Sequence, residues 1–431
     1  MSFAFSLCLI VLCLSAALGM PIAFAMIVSA VAYLAVSGQD LALSSEQLIQ
    51  SVYDSFVLLA VPLFIVAANI MNAGAISDRL LDFCKALVGR FKGGLAQVDI
   101  LVSLIFSGMS GSAVADAAGV GKISIAMMLK TGHYTPGFAG AVVAASATIG
   151  PIIPPSIPMV LYALVSDTSI GFLFLGGVVP GLLMTLALMV MNSVIANRRN
   201  IPAEEAVPLR RLPGITLRAL PALMMPVILL AGIYGGATTP TEAAAIAALY
   251  ALVVSAVFYR SVTLRSLYDV FLESARSSAS VGLVIGSALI FNYIIATENI
   301  PDALSNLLVA MDLSKWQFLI FVNVLFLLLG CILDASTIIL VIIPLFLPSV
   351  RALGIDPVHF GVFAVVNCMI GLITPPYGML LFVINGVTGI AIKDMVREGV
   401  PFLIALLVAL ALITAFPGLV LWLPRLMGYD G

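Results

Sequence analysis

Two aspartates sit in apolar surroundings. Asp116 lies in "SGSAVADAA" (110–118) and Asp334 in "GCILDAST" (330–337). A carboxylate in such a stretch costs about 2.5–3.5 kcal/mol on membrane-insertion scales, so each needs a partner. No basic residue occurs from 316 to 350, which makes a cation supplied from outside the natural partner of Asp334. A distant Arg or Lys, or protonation of the acid, are the alternatives. Asp116 has Lys122 near it in sequence, which offers a structural pair in place of an ion or substrate role.

The stretch around Asp116, "FSGMSGSAVADAAGVG" (106–121), holds seven Gly or Ser in sixteen residues. As a hairpin tip it brings the hydroxyls of Ser107, Ser110 and Ser112, with close backbone approach at Gly108 and Gly111. "GMSG" (108–111) also has the form of a serine nucleophile motif. That chemistry needs a base within about 3 Å, and the two histidines, His133 and His359, both read as solvated loop residues. Glu242 follows Thr239 and Pro240 and reads as a first-turn acid favoured by the helix dipole, a structural role.

A second kind of site comes from broken backbone. "GPIIPPSIP" (Gly150–Pro158) holds four prolines inside a run, 134–166, without a charged side chain. Proline within a helix removes a donor and clashes with the previous turn. The helix must therefore open, with free carbonyls near Thr148–Gly150. Free N–H groups follow Pro155, with Ser156 as N-cap and Pro158 tolerated in the first turn. Carbonyl ends attract cations and N–H ends attract anions, so the break suits a sodium ion beside a carboxylate. "GLITPPYGM" (371–379) repeats the pattern, and Thr374 adds a hydroxyl.

The elements that must hold these sites are membrane helices. The 431 residues are 62% hydrophobic and 9% charged, with mean hydropathy +1.20; soluble chains carry about 25% charge. No basic cluster suited to nucleic acid occurs. The five cysteines form no ligand pattern and read as free thiols. The N-terminus lacks a basic region and reads as a mature first helix, not a cleaved signal. Spans are expected near 3–18, 20–37, 53–73, 137–166, 170–196, 219–236, 239–259, 277–297, 358–390 and 400–423. Two interrupted stretches, 95–130 and 316–350, are expected to be re-entrant hairpins. The arm from Leu95 to Phe106 would reach only about 18 Å, short of a hydrocarbon core of about 30 Å. With the N-terminus outside, 16 basic residues face the cytoplasm and 3 face the other side, a strong positive-inside signal that puts both termini in the periplasm.

The halves echo each other. Five blocks recur in order: 19–26 with 238–245, 72–87 with 297–311, 110–118 with 330–337, 133–140 with 355–362, and 150–159 with 371–379. Each half has an odd number of crossings, so the second is inverted, the signature of secondary transporters. The expected fold is an all-α polytopic membrane protein of the inverted-repeat elevator type, with about ten crossings and two hairpins. Residues 1–218 form the first repeat, with inner hairpin 95–130 and broken helix 137–166. Residues 219–431 form the second, with outer hairpin 316–350 and broken helix 358–390. The hairpins and broken helices jointly make the transport domain.

"GGATTPTEAAAIAALY", "FSGMSGSAVAD", the "GCILDAST" block and "IDPVHFGVFAVVNCMIGLITPPYG" resemble the large membrane subunit of tripartite ATP-independent periplasmic (TRAP) transporters over nearly the whole chain. The resemblance implies a sodium-driven elevator in the bacterial inner membrane and no enzyme. It implies two partners, a small membrane subunit of about four helices and a periplasmic binding protein that delivers an organic acid such as a C4-dicarboxylate or a sialic acid. Some members fuse the small subunit at the N-terminus; here a separate one is expected. The implied sodium residues are Gly108, Ser110, Ser112, Gly150, Gly330, Asp334, Gly371 and Thr374. Those for the acid are Ser110, Ser112, Ser156, Asn292, Thr297, Asp334 and Thr337. The eighth crossing, "FNYIIATENIP" (291–301), shows Asn292 and Thr297 but no arginine, so either helix N-termini and hydroxyls carry more of the carboxylate binding or the substrate differs. A standalone ion–carboxylate transporter that needs no binding protein is the alternative.

Overall fold

The computed structural model describes residues 2–431 except 55, 74, 75, 206, 311 and 312. Residue 55 of the expected 53–73 span lies outside the described residues, as do 74, 75 and 311 of the repeated blocks. The described residues are helical apart from turns, loops and one isolated bridge between Lys92 and Ala203.

The first half opens with α1 (Phe3–Ala17), α2 (Ile22–Ser37), α3 (Ala42–Asp54), α4 (Ala60–Ala73) and α5 (Ile76–Val88). The hairpin follows as α6 (Gly94–Ser110), α7 (Ala113–Ala118) and α8 (Val120–Lys130). The broken helix is α9 (Pro136–Ala147) and α10 (Ile157–Ser166), and α11 (Ile170–Arg199) closes the half. The second half runs α12 (Leu212–Tyr234), α13 (Pro240–Val253), α14 (Leu264–Thr297) and α15 (Ile300–Ala310). Its hairpin is α16 (Lys315–Gly330), α17 (Ala335–Thr337) and α18 (Ile343–Ala352), and its broken helix is α19 (Pro357–Gly371) and α20 (Met379–Thr388). The chain ends with α21 (Ile392–Ala415) and α22 (Pro417–Leu426).

Among the described residues six helical runs are long and apolar enough to cross a membrane. The shorter apolar helices combine. α9 and α10 have 12 and 10 residues, about 18 and 15 Å, which together match one crossing. Several boundaries differ from expectation. The 277–297 span begins at Leu264, because Thr263 caps the helix and Ser266 returns the bond. The 400–423 span is α21, shifted toward the N-terminus, plus the separate α22; Phe416 leaves helical geometry at φ −120°, ψ 83° and Pro417 starts anew.

Two groups of helices pack together. α2, α4, α13 and α14 form one, with α14 lying on α2, α3 and α4. In the other, α9 packs on α6, α8 and α21, and α19 on α16, α11 and α21. Each half-helix after a break crosses to the other half's hairpin: α10 lies on α17 and the turn after it, and α20 lies on α7 and α8. Both hairpins turn back on themselves. α6 packs on α8, and Phe346 of α18 meets Phe318 and Phe326 of α16 at 6.3 and 6.0 Å.

Candidate functional site

The first site is built by a local cap, a tight turn and a buried acid. α9 ends at Ala147, and Thr148–Ser156 is irregular. Ser156 caps α10: its hydroxyl accepts the Met159 amide at 3.2 Å and donates to the Pro151 carbonyl, and proline occupies the first turn. α11 presses on the break, where a Cβ at Gly177 would lie 2.2 Å from the Ile152 carbonyl oxygen. The hairpin arm α6 is longer than expected and ends at Ser110; the tip is Gly111 and Ser112. Gly111 has φ +59°, and a Cβ there would meet the Pro155 carbonyl at 2.5 Å, so tip and break touch. Ser112 caps α7.

Asp116 follows within the first turn of α7 and is 3% exposed. One oxygen accepts the Ser110 hydroxyl; the other is buried without a partner. A Cβ at Gly150 would lie 2.7 Å from that second oxygen. The anticipated Lys122 pair does not form, because Lys122 points to the exposed side of α8. Among the described residues the ion pairs are Lys85–Glu204 and Arg199–Glu398, so no base compensates Asp116. The Ser110 hydroxyl, the Asp116 carboxyl and the Gly150 backbone thus come together. Hydroxyl, carboxylate and carbonyl oxygens are ligands of hard cations.

Asp99 was missed by sequence reasoning. It sits on α6, 1% exposed, and accepts the Ser146 hydroxyl at 2.8 Å. Ser146 lies in the last turn of α9 and Gly150 just beyond it, so one acid meets the helix end and another the break. The available signal was a third aspartate in the apolar "GGLAQVDILVSL". Asn72 was also missed; its Oδ1 is buried without a partner, 2.9 Å from where a Cβ on Gly119 would be.

The second site has a different plan. Asp334 itself is the N-cap of α17, accepting the Thr337 amide at 3.1 Å and the Thr337 hydroxyl. The capping residues therefore pair Ser112 with Asp334, a correction to the sequence pairing of the two aspartates. Gly330 and Gly371 meet backbone to backbone: a Cβ on Gly371 would lie 2.7 Å from the Gly330 Cα. Thr374 donates to the Ile370 carbonyl at 2.7 Å. Pro375, Pro376 and Tyr377 are exposed. Pro154–Pro155 and Pro375–Pro376 are both cis.

The other candidates fall elsewhere. Ser107 spends its hydroxyl on the Ser103 carbonyl, and Gly108 lies inside α6, where a Cβ would meet the Pro226 ring at 2.7 Å. Asn292 of α14 donates to the Leu340 carbonyl at 2.7 Å. Thr297 is at the exposed end of α14, bonded to the Tyr293 carbonyl. Glu242 completes a capping box with Thr239 and is exposed. His133 is exposed, but His359 is not the expected loop residue: it is 1% exposed in α19, with Nε2 3.0 Å from the Ile413 carbonyl oxygen. Asp356 caps α19 in front of it and draws His359 into the helix.

A bundle of apolar helices in which two hairpin tips meet two broken helices defines a multi-pass membrane transporter. Residues 8–419 match the family model described as the DctM component of the tripartite ATP-independent periplasmic transporter. The chain is 40% identical over 413 residues to the sialic acid TRAP transporter large permease protein SiaM of Vibrio cholerae, covering 95% of this chain and 96% of that one. It is 42% identical over 375 residues to the C4-dicarboxylate TRAP transporter large permease protein DctM of Pseudomonas aeruginosa, covering 87% and 88%. Among solved structures, the YdaH transporter of Alcanivorax borkumensis superposes with TM-score 0.63 at 17% identity over 86% of this chain and 87% of that one, a likeness of fold alone. The chain belongs to the DctM family of TRAP transporter large permease subunits and is a multi-pass protein of the inner membrane.

Proposed function

We propose that the chain imports an organic acid by sodium symport, with the hairpins and broken helices moving as one body against the group built on α2, α4, α13 and α14. The observation that carries this reading is Asp116. It is a buried carboxylate with no base beside it and one oxygen unpartnered against Gly150. A monovalent cation supplies the missing charge, with Ser110, Asp116 and the Gly150 break as its surroundings. Gly330, Asp334, Gly371 and Thr374 form the second candidate cation region. Ser112, Ser156 and Thr337 remain the candidates for the acid; Asn292 and Thr297 are bonded to main-chain carbonyls away from the breaks. Relatives named for sialic acid and C4-dicarboxylate support a carboxylate substrate.

The partners are a small membrane subunit and a periplasmic binding protein. The isethionate TRAP transporter permease protein DctMQ of Oleidesulfovibrio alaskensis aligns with this chain over only 62% of its own length, which leaves room there for a fused subunit. The crossed packing of α10 and α20 on the opposite hairpins supports a single moving body. The driving force suffices: two sodium ions entering with one monoanion, across a tenfold gradient and 100 mV, supply about 5 kcal/mol, enough for accumulation of several thousandfold.

Vesicles holding the chain and its two partners will accumulate labelled acid under an inward sodium gradient and not in potassium buffer. Asp116→Asn will raise the sodium concentration needed for half-maximal uptake about tenfold. Equal uptake in potassium would sink the coupling.

A further inference from the structure

The bond between Asn292 and Leu340 has a cause in the sequence. Pro344 stands four residues beyond Leu340. A proline has no N–H to give that carbonyl, and its ring crowds the carbonyl one turn back. The helix widens in response: Ile338–Ile342 is a π-turn, and the Ile343 amide bonds to the Ile338 carbonyl. Single π-turns are frequent at functional sites. Leu340 is fully buried, so water cannot satisfy its carbonyl, and the Asn292 amide reaches it from α14 instead.

We infer that Asn292 is a positioning residue, a strap from α14 that holds the second hairpin where it now lies and lets go when the hairpin moves. The inference rests on the proposed movement of the hairpins against α14. Among the described residues no other α14 side chain hydrogen-bonds to this hairpin. The strap is also a single bond, because the Asn292 Oδ1 is buried without a partner. One bond of this kind is firm enough to bias a position and weak enough to release. Among the described residues no α12 side chain hydrogen-bonds to the first hairpin; α12 meets it through the Pro226 ring over Gly108.

The test uses Cys331, at the second hairpin tip and 6% exposed, in the full chain with its other four cysteines replaced by alanine. Its rate of maleimide labelling is read in detergent without sodium or substrate, so the outcome does not depend on ion coupling. Asn292→Leu is expected to raise the rate about three- to tenfold. Pro344→Ala restores a main-chain donor for the Leu340 carbonyl, so the Asn292→Leu/Pro344→Ala chain should return to within about twofold of the starting rate. Loss of packing at position 292 could not be repaired from position 344. An unchanged rate in Asn292→Leu, or a raised rate that Pro344→Ala leaves raised, overturns the strap. If Asn292→Leu alone fails to accumulate, Pro344→Ala must restore it; continued failure also overturns the strap. Loss of sodium coupling with this labelling pattern intact would count against the transport mechanism only.

Discussion

In the first half, every residue of the break from Thr148 to Ser156 is buried except the half-buried Ile153; in the second, Pro375, Pro376 and Tyr377 are exposed. The two regions share a backbone plan of hairpin tip, glycine contact and proline break, but they place the acid differently. Asp334 stands on the cap, where the amide and hydroxyl of Thr337 each donate to one of its oxygens. In the first half Ser112 takes the cap and the acid moves four residues on to Asp116, where only Ser110 meets it. A shared backbone plan therefore does not impose shared chemistry. The sealed site leaves one carboxyl oxygen unpartnered, and the open site gives both oxygens of its acid a local donor.

The largest effect expected from this contrast concerns the glycines. Alanine at Gly371 pushes against the Gly330 backbone, which has nowhere to go; alanine at Gly150 pushes against the Asp116 carboxyl, a side chain. Gly371→Ala is expected to abolish uptake and cost about 3 kcal/mol, against about 1 kcal/mol for Gly150→Ala. Thermal unfolding of the two purified variants checks this, and equal losses would dissolve the distinction. Exposure comes next. A cysteine at Tyr377, 51% exposed in the wild type, should react with a soluble maleimide at least about tenfold faster than one at Ile152, which is fully buried. Equal rates would mean that the two breaks are equally open. The smallest effect is at Thr374. Its hydroxyl bonds its own helix, so Thr374→Val should cost only about 0.5–1 kcal/mol in unfolding free energy. A marked rise in the sodium needed for uptake would then reveal a second ion site at the open break.

Much of the frame was legible. Ser156 as cap, a proline in the first turn of α10, the Thr239–Glu242 box and the positions of both breaks all rest on contacts within about one turn, which residue types betray. His359 was misplaced because Asp356–Pro357, a cap followed by proline in the first turn, was passed over as a helix start and read as loop. Asp99 was passed over because its partner, Ser146, lies 47 residues away. The tip was placed too early because glycine and serine suggest a turn at Gly108, whereas the approach of Pro226 explains that glycine inside a continuous helix.

The sequence by itself determined that this chain is a membrane protein, where its helices break, and that Ser156 caps the restarted α10. These follow from hydropathy, from proline's missing N–H and from side chains that reach their own backbone. Only the tertiary structure decided which carboxyl oxygen is left without a partner, which glycines touch and which carbonyl Asn292 serves. Those outcomes depend on atoms brought together from distant segments: Asp116 against Gly150, Gly330 against Gly371, Asn292 against Leu340. Burial turns each into a strong constraint, because no water is present to stand in for a missing partner.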